Sequence, residues 1–136
     1  MTISDLVRES EVVVLAAAAN AGTLHLIGSP EIEAMRPGTV LVNTARAALV
    51  DQEALVRRLQ QGDISAALDV FDQEPLPVDS PLRKLPNAYL TPHRGGGILE
   101  SVQRAAQMLV DELAAFASGR PRAHALTPEM LVSLDA

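Results

Sequence analysis

Short apolar runs recur along the chain, separated by stretches that carry helix signals. Glu11-Val12-Val13-Val14-Leu15 sets β-branched side chains in succession without polar alternation, the pattern of a buried strand. Thr39 to Asn43 reads as a second such strand and Ile64 to Val70 as a third. Ala88-Tyr89-Leu90 reads as a fourth, very short. Before the first run, Ser4 is placed to cap a short helix through Glu9. Asn20 to Thr23 is a loop, and Ser29-Pro30-Glu31 starts a helix: a cap, a proline in the first turn, then an acid at the positive dipole end. That helix ends by Met35, because Arg36-Pro37-Gly38 cannot continue it. Asp51 caps a helix with Ala54, Leu55 and Leu59 on its apolar face, and Gly62 closes it. Pro75, Pro77, Pro81 and Pro86 restrict the next stretch to turns and a short helix at most. Gly95-Gly96-Gly97 opens a long helix from about Leu99 to Ala117, with Val102, Ala106, Leu109, Leu113 and Phe116 at helical spacing. Gly119 and Pro121 end it.

Strands alternating with helices at this spacing predict βαβ units and a parallel sheet. Right-handed crossovers put all strand C-termini on one edge, where ligands bind in such sheets. The segments that hold Arg46, Asp69, Glu74 and His93 each follow a predicted strand, so all four are expected to converge there. An arginine, a carboxylate and an imidazole at strand ends suit hydride transfer on a small hydroxy acid. Arginine forks onto a carboxylate, and histidine moves a hydroxyl proton while an acid orients it.

Composition narrows the partners. At 136 residues the chain suits one domain or a large part of one. Aromatics are only 2%, so the core must be built from Leu, Val, Ile and Ala. A net charge of -6 and the lack of a basic run argue against nucleic acid or an anionic membrane as partner. The chain has no cysteine, which removes disulfides and thiolate metal sites, and no metal is expected. The longest apolar stretch, Val12 to Ala19, is too short to span a bilayer, and Met1 to Asp5 lacks signal-peptide character. A soluble, cytoplasmic protein is the expectation.

Three ordered motifs carry a resemblance. Asn43 to Asp51 (NTARAALVD), Leu68 to Pro77 (LDVFDQEPLP) and Leu90 to His93 (LTPH) resemble the C-terminal part of a D-isomer-specific 2-hydroxyacid dehydrogenase. The resemblance covers nearly the whole chain. It implies an α/β fold, part of a Rossmann-like doubly wound parallel sheet of about four strands with a long C-terminal helix. It implies a partial dinucleotide-binding domain over 1–118 and a tail over 119–136 that returns to the substrate domain. The implied activity is transfer of a hydride between NAD (or NADP) and a small D-2-hydroxy or 2-keto acid. By the same resemblance Arg46 binds the substrate carboxylate, His93 is the acid/base and Glu74 its carboxylate partner. Asp69 accepts from the nicotinamide carboxamide, and Asn20, Thr44, Ala45, Arg46, His93, Gly95 and Gly96 complete the cofactor contacts. Glutamate at position 74, where some formate-oxidising relatives carry glutamine, points away from formate as the substrate. His25 and His124 lack comparable context.

The chain also departs from that pattern. Ala18-Ala19-Asn20 replaces a Pro-Leu-Thr loop, and Ala47 replaces a glycine, where a positive φ would be strained. Arg94 follows the histidine where an aliphatic residue is common. No G-x-G-x-x-G follows a strand, so the pyrophosphate cradle and the acid that holds the adenosine ribose are lacking. In the family that segment is expected to precede Met1. The Val12–Leu15 and Thr39–Asn43 strands are then expected to expose an apolar sheet edge. Besides an oxidoreductase, the sequence leaves open a non-catalytic remnant or a nucleotide-sensing, partner-binding module. It also leaves open a half that works as a homodimer or with a complementary N-terminal half.

Overall fold

The computed structural model describes residues 2–128 and 130. They form two compact units, residues 1–93 and 94–136. The expected tail, 119–136, lies partly outside the described residues.

The first unit runs α1 (Ile3–Glu9), β1 (Val12–Leu15), α2 (Ser29–Ala34), β2 (Val40–Asn43), α3 (Gln52–Leu59), β3 (Ser65–Leu68) and β4 (Ala88–Leu90). All four strands pair in parallel, in the order β1-β2-β3-β4. Each predicted strand is present: β1 and β2 start one residue later than expected, β3 is shorter at both ends, and β4 matches. Glu11 and Thr39 lie at the strand starts, where their carbonyls accept the Val40 and Ser65 N–H groups, both at 2.9 Å. A strand order that never reverses, with right-handed crossovers, places the connecting helices on one face.

The burial pattern follows from that one-sided cover. Val13 and Leu15 of β1, Leu41 and Asn43 of β2, and Ala66 and Leu68 of β3 point into the helix-covered side. There they meet Val7 of α1, Ile32 of α2, and Ala54, Leu55 and Leu59 of α3. Each fully buried leucine, such as Leu41, contributes about 2 kcal/mol through the apolar area it removes from water. The opposite face is less covered. Val12 and Val14 are 55% and 62% exposed, and Tyr89 of β4 is 72% exposed. Two expectations are corrected here. β1 is buried on one face only, and β2 is no edge, because it pairs with both β1 and β3. On the sheet, the apolar side chains left exposed are Val12 and Val14 of the edge strand β1 and Tyr89 of β4.

Capping explains the helix ends. Thr2, not Ser4, caps α1: its Oγ1 accepts from the Asp5 N–H at 3.1 Å, and Asp5 answers by accepting from the Thr2 N–H at 2.9 Å. The Thr2 N–H, and after it the Thr2 hydroxyl that donates to Asp5 Oδ2 at 2.8 Å, hold the Asp5 carboxyl below its ordinary pKa. Ser4 instead donates to Glu31 Oε1 at 2.8 Å, tying α1 to α2. Asp51 caps α3 as expected, accepting from the Ala54 N–H at 2.9 Å, and Gly62 follows with φ of 80°. Ala47 needs no positive φ, since it opens a single 3-10 turn, Ala47–Leu49. Among the described residues, the left-handed non-glycine ones are His25 and His93.

In the second unit, α4 spans Leu99–Ala117, as the spacing predicts. Gly119, at φ of 67°, ends it. Glu112 Oε1 accepts the Ala123 and His124 N–H groups at 3.0 and 3.1 Å, folding the following segment back along the helix. The Arg122 guanidinium lies 5.7 Å from the centre of the Phe116 ring. No helix among the described residues is long and apolar enough to cross a membrane.

Candidate active site

The parallel sheet delivers β2, β3 and β4 to a common C-terminal edge, and backbone bonds lock the departing loops together. The Asp69 N–H donates to Asn43 O at 3.0 Å, and the Thr91 N–H donates to Leu68 O at 2.9 Å. The register thus sets Asp69 beside Asn43 and Thr91 beside Leu68. At each strand end a side chain shapes the loop that leaves it.

After β2, the buried Asn43 builds the turn. Its Nδ2 donates to Arg46 O at 2.9 Å and its Oδ1 accepts from the Ala45 N–H at 3.1 Å. An asparagine that bonds its own downstream backbone is the usual device for such a turn. The Arg46 guanidinium donates to Ala45 O at 2.7 Å. It makes no hydrogen bond to the other candidate residues.

After β3, Asp69 is 2% exposed, and its Oδ1 accepts from Thr91 Oγ1 at 2.6 Å. This bond joins the ends of β3 and β4. The chain then turns through Val70 and Phe71, both buried, to Glu74, whose peptide bond to Pro75 is cis.

After β4, His93 takes φ of 51°, a left-handed conformation that histidine reaches more readily than most residues. Its N–H donates to Thr91 O at 3.1 Å. Its ring Nδ1 lies 2.7 Å from Glu74 Oε2. Ionised carboxylate only accepts, so Nδ1 carries the proton of the neutral ring. Nε2 makes no hydrogen bond among the described residues. The other Glu74 oxygen, Oε1, accepts the Phe71 N–H at 3.0 Å. The bond to His93, and after it the Phe71 N–H, hold the Glu74 carboxyl below its ordinary pKa, against the like charge of Asp69. Glu74 and His93 border a cavity of about 650 Å³, lined further by Phe71, Pro75, Leu76, Arg83, Leu90, Thr91 and Pro92.

The geometry therefore brings Glu74 to His93 and Asp69 to the end of β4. It leaves Arg46 on its own loop at the same sheet edge. Thr44 and Ala45 lie in the Asn43 turn. Asn20 sits in the loop after β1, where its Oδ1 accepts from the Gly22 N–H at 2.9 Å. Gly95 and Gly96 belong to the second unit. Away from these groups, burial raises the Asp72 carboxyl, opposed by the charge of His25 and reinforced by Asp51 and Glu53. No cluster of metal-ligating side chains occurs among the described residues. Sequence reasoning missed Asn43, Thr91 and the Phe71 N–H. The first two stood in the family motifs as a polar residue at or next to a strand end, which is where a side chain can bond the neighbouring loop.

Comparison with known proteins adds ancestry to the geometry. The family model described as D-isomer specific 2-hydroxyacid dehydrogenase, NAD binding domain, matches residues 1–95. The chain is 41% identical over 130 residues to glyoxylate/hydroxypyruvate reductase B of Pectobacterium atrosepticum, covering 95% of this chain and 41% of that protein. Among solved structures, the TT0316 protein of Thermus thermophilus superposes with a TM-score of 0.86 at 40% identity, over 93% of this chain and 41% of that one. D-lactate dehydrogenase from Lactobacillus jensenii, solved with NAD+, superposes with a TM-score of 0.83 at 25% identity, over 91% of this chain and 42% of that one. The chain thus spans about two fifths of the length of the relatives it matches.

Proposed function

The chain belongs to the D-isomer specific 2-hydroxyacid dehydrogenases, in their NAD-binding domain, and from that membership we propose that it supplies the nicotinamide-side, proton-transferring half of a reductase for short 2-oxo acids. The observation that carries this reading is the 2.7 Å contact between His93 Nδ1 and Glu74 Oε2 beside the 650 Å³ cavity. With Nδ1 engaged, Nε2 is the ring atom left to exchange a proton with substrate. In reduction it delivers that proton to the carbonyl oxygen, and in oxidation it removes it from the hydroxyl. Glu74 holds the ring in the tautomer this needs and stabilises the imidazolium that forms.

The sheet edge fits the nicotinamide end of a dinucleotide. Asp69 is a buried carboxylate fixed by Thr91, suited to accept from a carboxamide N–H. Thr44 and Ala45 are small, so their backbone can approach a flat ring closely, and Asn20 in the loop after β1 is a further contact. Bound nicotinamide supplies or accepts the hydride. Arg46 turns from Ala45 O to fork onto the substrate carboxylate, which orients the reacting carbon. The name of the Pectobacterium relative points to glyoxylate and hydroxypyruvate as substrates, and the NAD+ and NADPH held by solved relatives point to NAD or NADP as coenzyme.

A chimera joining this chain to the N-terminal part of the Pectobacterium reductase tests the assignment. NADH-dependent reduction of glyoxylate is expected, falling roughly 100- to 10,000-fold in His93→Ala. Arg46→Ala should lose most turnover as well, with unchanged circular dichroism. A chimera that turns over equally well without His93 sinks the reading.

A further inference from the structure

The loop between β3 and β4 that carries Glu74 contains neither helix nor strand until the 3-10 turn Pro81–Lys84. Pro75 and Pro77 have no N–H to donate, so the loop is short of internal donors for its own carbonyls. Within it, the Ser80 N–H donates to Pro77 O at 3.2 Å. The missing donors come from Arg83. Its Nε donates to Pro77 O at 2.8 Å and its Nη2 to Leu76 O at 2.6 Å. One planar guanidinium thus grips two consecutive carbonyls just beyond Glu74. The turn from which it reaches is itself anchored, because Leu82 is 1% exposed. Arg83 forms no ion pair among the described residues, so its donors serve backbone and not an acid. It borders the same cavity as Glu74 and His93.

We propose that Arg83 is a positioning residue: by forking onto the Leu76 and Pro77 carbonyls it fixes the turn that presents Glu74 to His93. The proposal rests on the Glu74–His93 pairing that carries the functional reading. A guanidinium is needed for its shape as much as for its charge, since lysine's compact ammonium on a flexible stem lacks the rigid fork with which arginine holds both carbonyls.

The test uses the 136-residue chain itself, labelled with ¹³C, and follows the Glu74 carboxyl through pH in the parent, Arg83→Lys and Arg83→Leu. The groups that face Glu74 are His93, which lowers its pKa, and Asp69, which raises it. In the parent, Glu74 should titrate below the ordinary glutamate range. In both variants the midpoint should rise by roughly half a pH unit or more, as the contact with His93 loosens. A merely structural arginine would change stability without moving this midpoint in the folded protein. Arg83→Lys titrating with the parent overturns the proposal, whether or not Arg83→Leu moves, because the charge alone then suffices. Arg83→Lys also decides the matter should Arg83→Leu not fold. An ordinary midpoint in the parent overturns the proposal and the Glu74–His93 pairing together. The parent depressed with both variants unchanged removes Arg83 alone and leaves the pairing standing.

Discussion

Thr91→Val probes the joint between β3 and β4 with almost no change of shape. The substitution replaces the hydroxyl that donates to Asp69 Oδ1 at 2.6 Å with a methyl group. Asp69 is 2% exposed, so water cannot easily take the place of the lost donor. A hydrogen bond to a charged group contributes roughly 1.5–3 kcal/mol net. Thr91 itself is half-buried, which sets the expectation at the low end, about 1.5–2 kcal/mol. With a urea slope of about 1.5–2 kcal/mol/M, the unfolding midpoint should drop by roughly 1 M. Thr91→Ser keeps the hydroxyl and loses only a methyl group, so its drop should be well under half of that. A double-mutant cycle with Asp69→Asn should show the two residues coupled by about 1 kcal/mol. A Thr91→Val midpoint within about 0.2 M of the parent would mean that the bond does not hold Asp69.

The remaining predictions concern pH and coenzyme. Because Glu74 has a lowered pKa in the folded chain, it stabilises the fold above the ordinary glutamate range, and that contribution is lost as pH falls through its lowered value. The gap in urea midpoint between the parent and Glu74→Gln should therefore be present at about pH 7 and shrink as pH falls through the lowered Glu74 pKa, and a gap that does not shrink in acid contradicts the pairing. The 136-residue chain alone should bind NADH weakly, because it has no glycine-rich turn to hold a pyrophosphate. Fluorescence titration checks this, and tight saturable binding would show that the C-terminal strand ends suffice.

What was legible in the sequence divides along a physical line. The strands were legible as short apolar runs rich in β-branched or aliphatic residues, and β1 to β4 all form where those runs lie. The helix α4 was legible from spacing alone, to its end residues. Of the site, Glu74 and His93 were legible as a pair through the motifs that carry them. Which face of β1 is covered was not, since Val12 and Val13 are the same residue type, and only the helices packed beside them decide that one is exposed and the other buried. The cap of α1 was misassigned because Thr2 and Ser4 both suit a cap, and Ser4 is taken by Glu31, distant in sequence. Arg83 was invisible for a different reason. Its partners are backbone carbonyls, which carry no side-chain signature.

The strand order also sets the sequence of assembly during synthesis. Every pairing in the sheet joins a strand to the one made just before it, so each strand leaving the ribosome meets a finished edge and waits for no later segment. No hairpin supplies a local start, and each pairing closes a long loop, which makes assembly of these strands slow. Arrested nascent chains ending before Ala88 should already protect β1 to β3 from protease, and cleavage throughout them would contradict this order. Glu74 is made and waiting before its partner exists. The imidazole arrives with the last strand, so the pair can form only on a sheet already built.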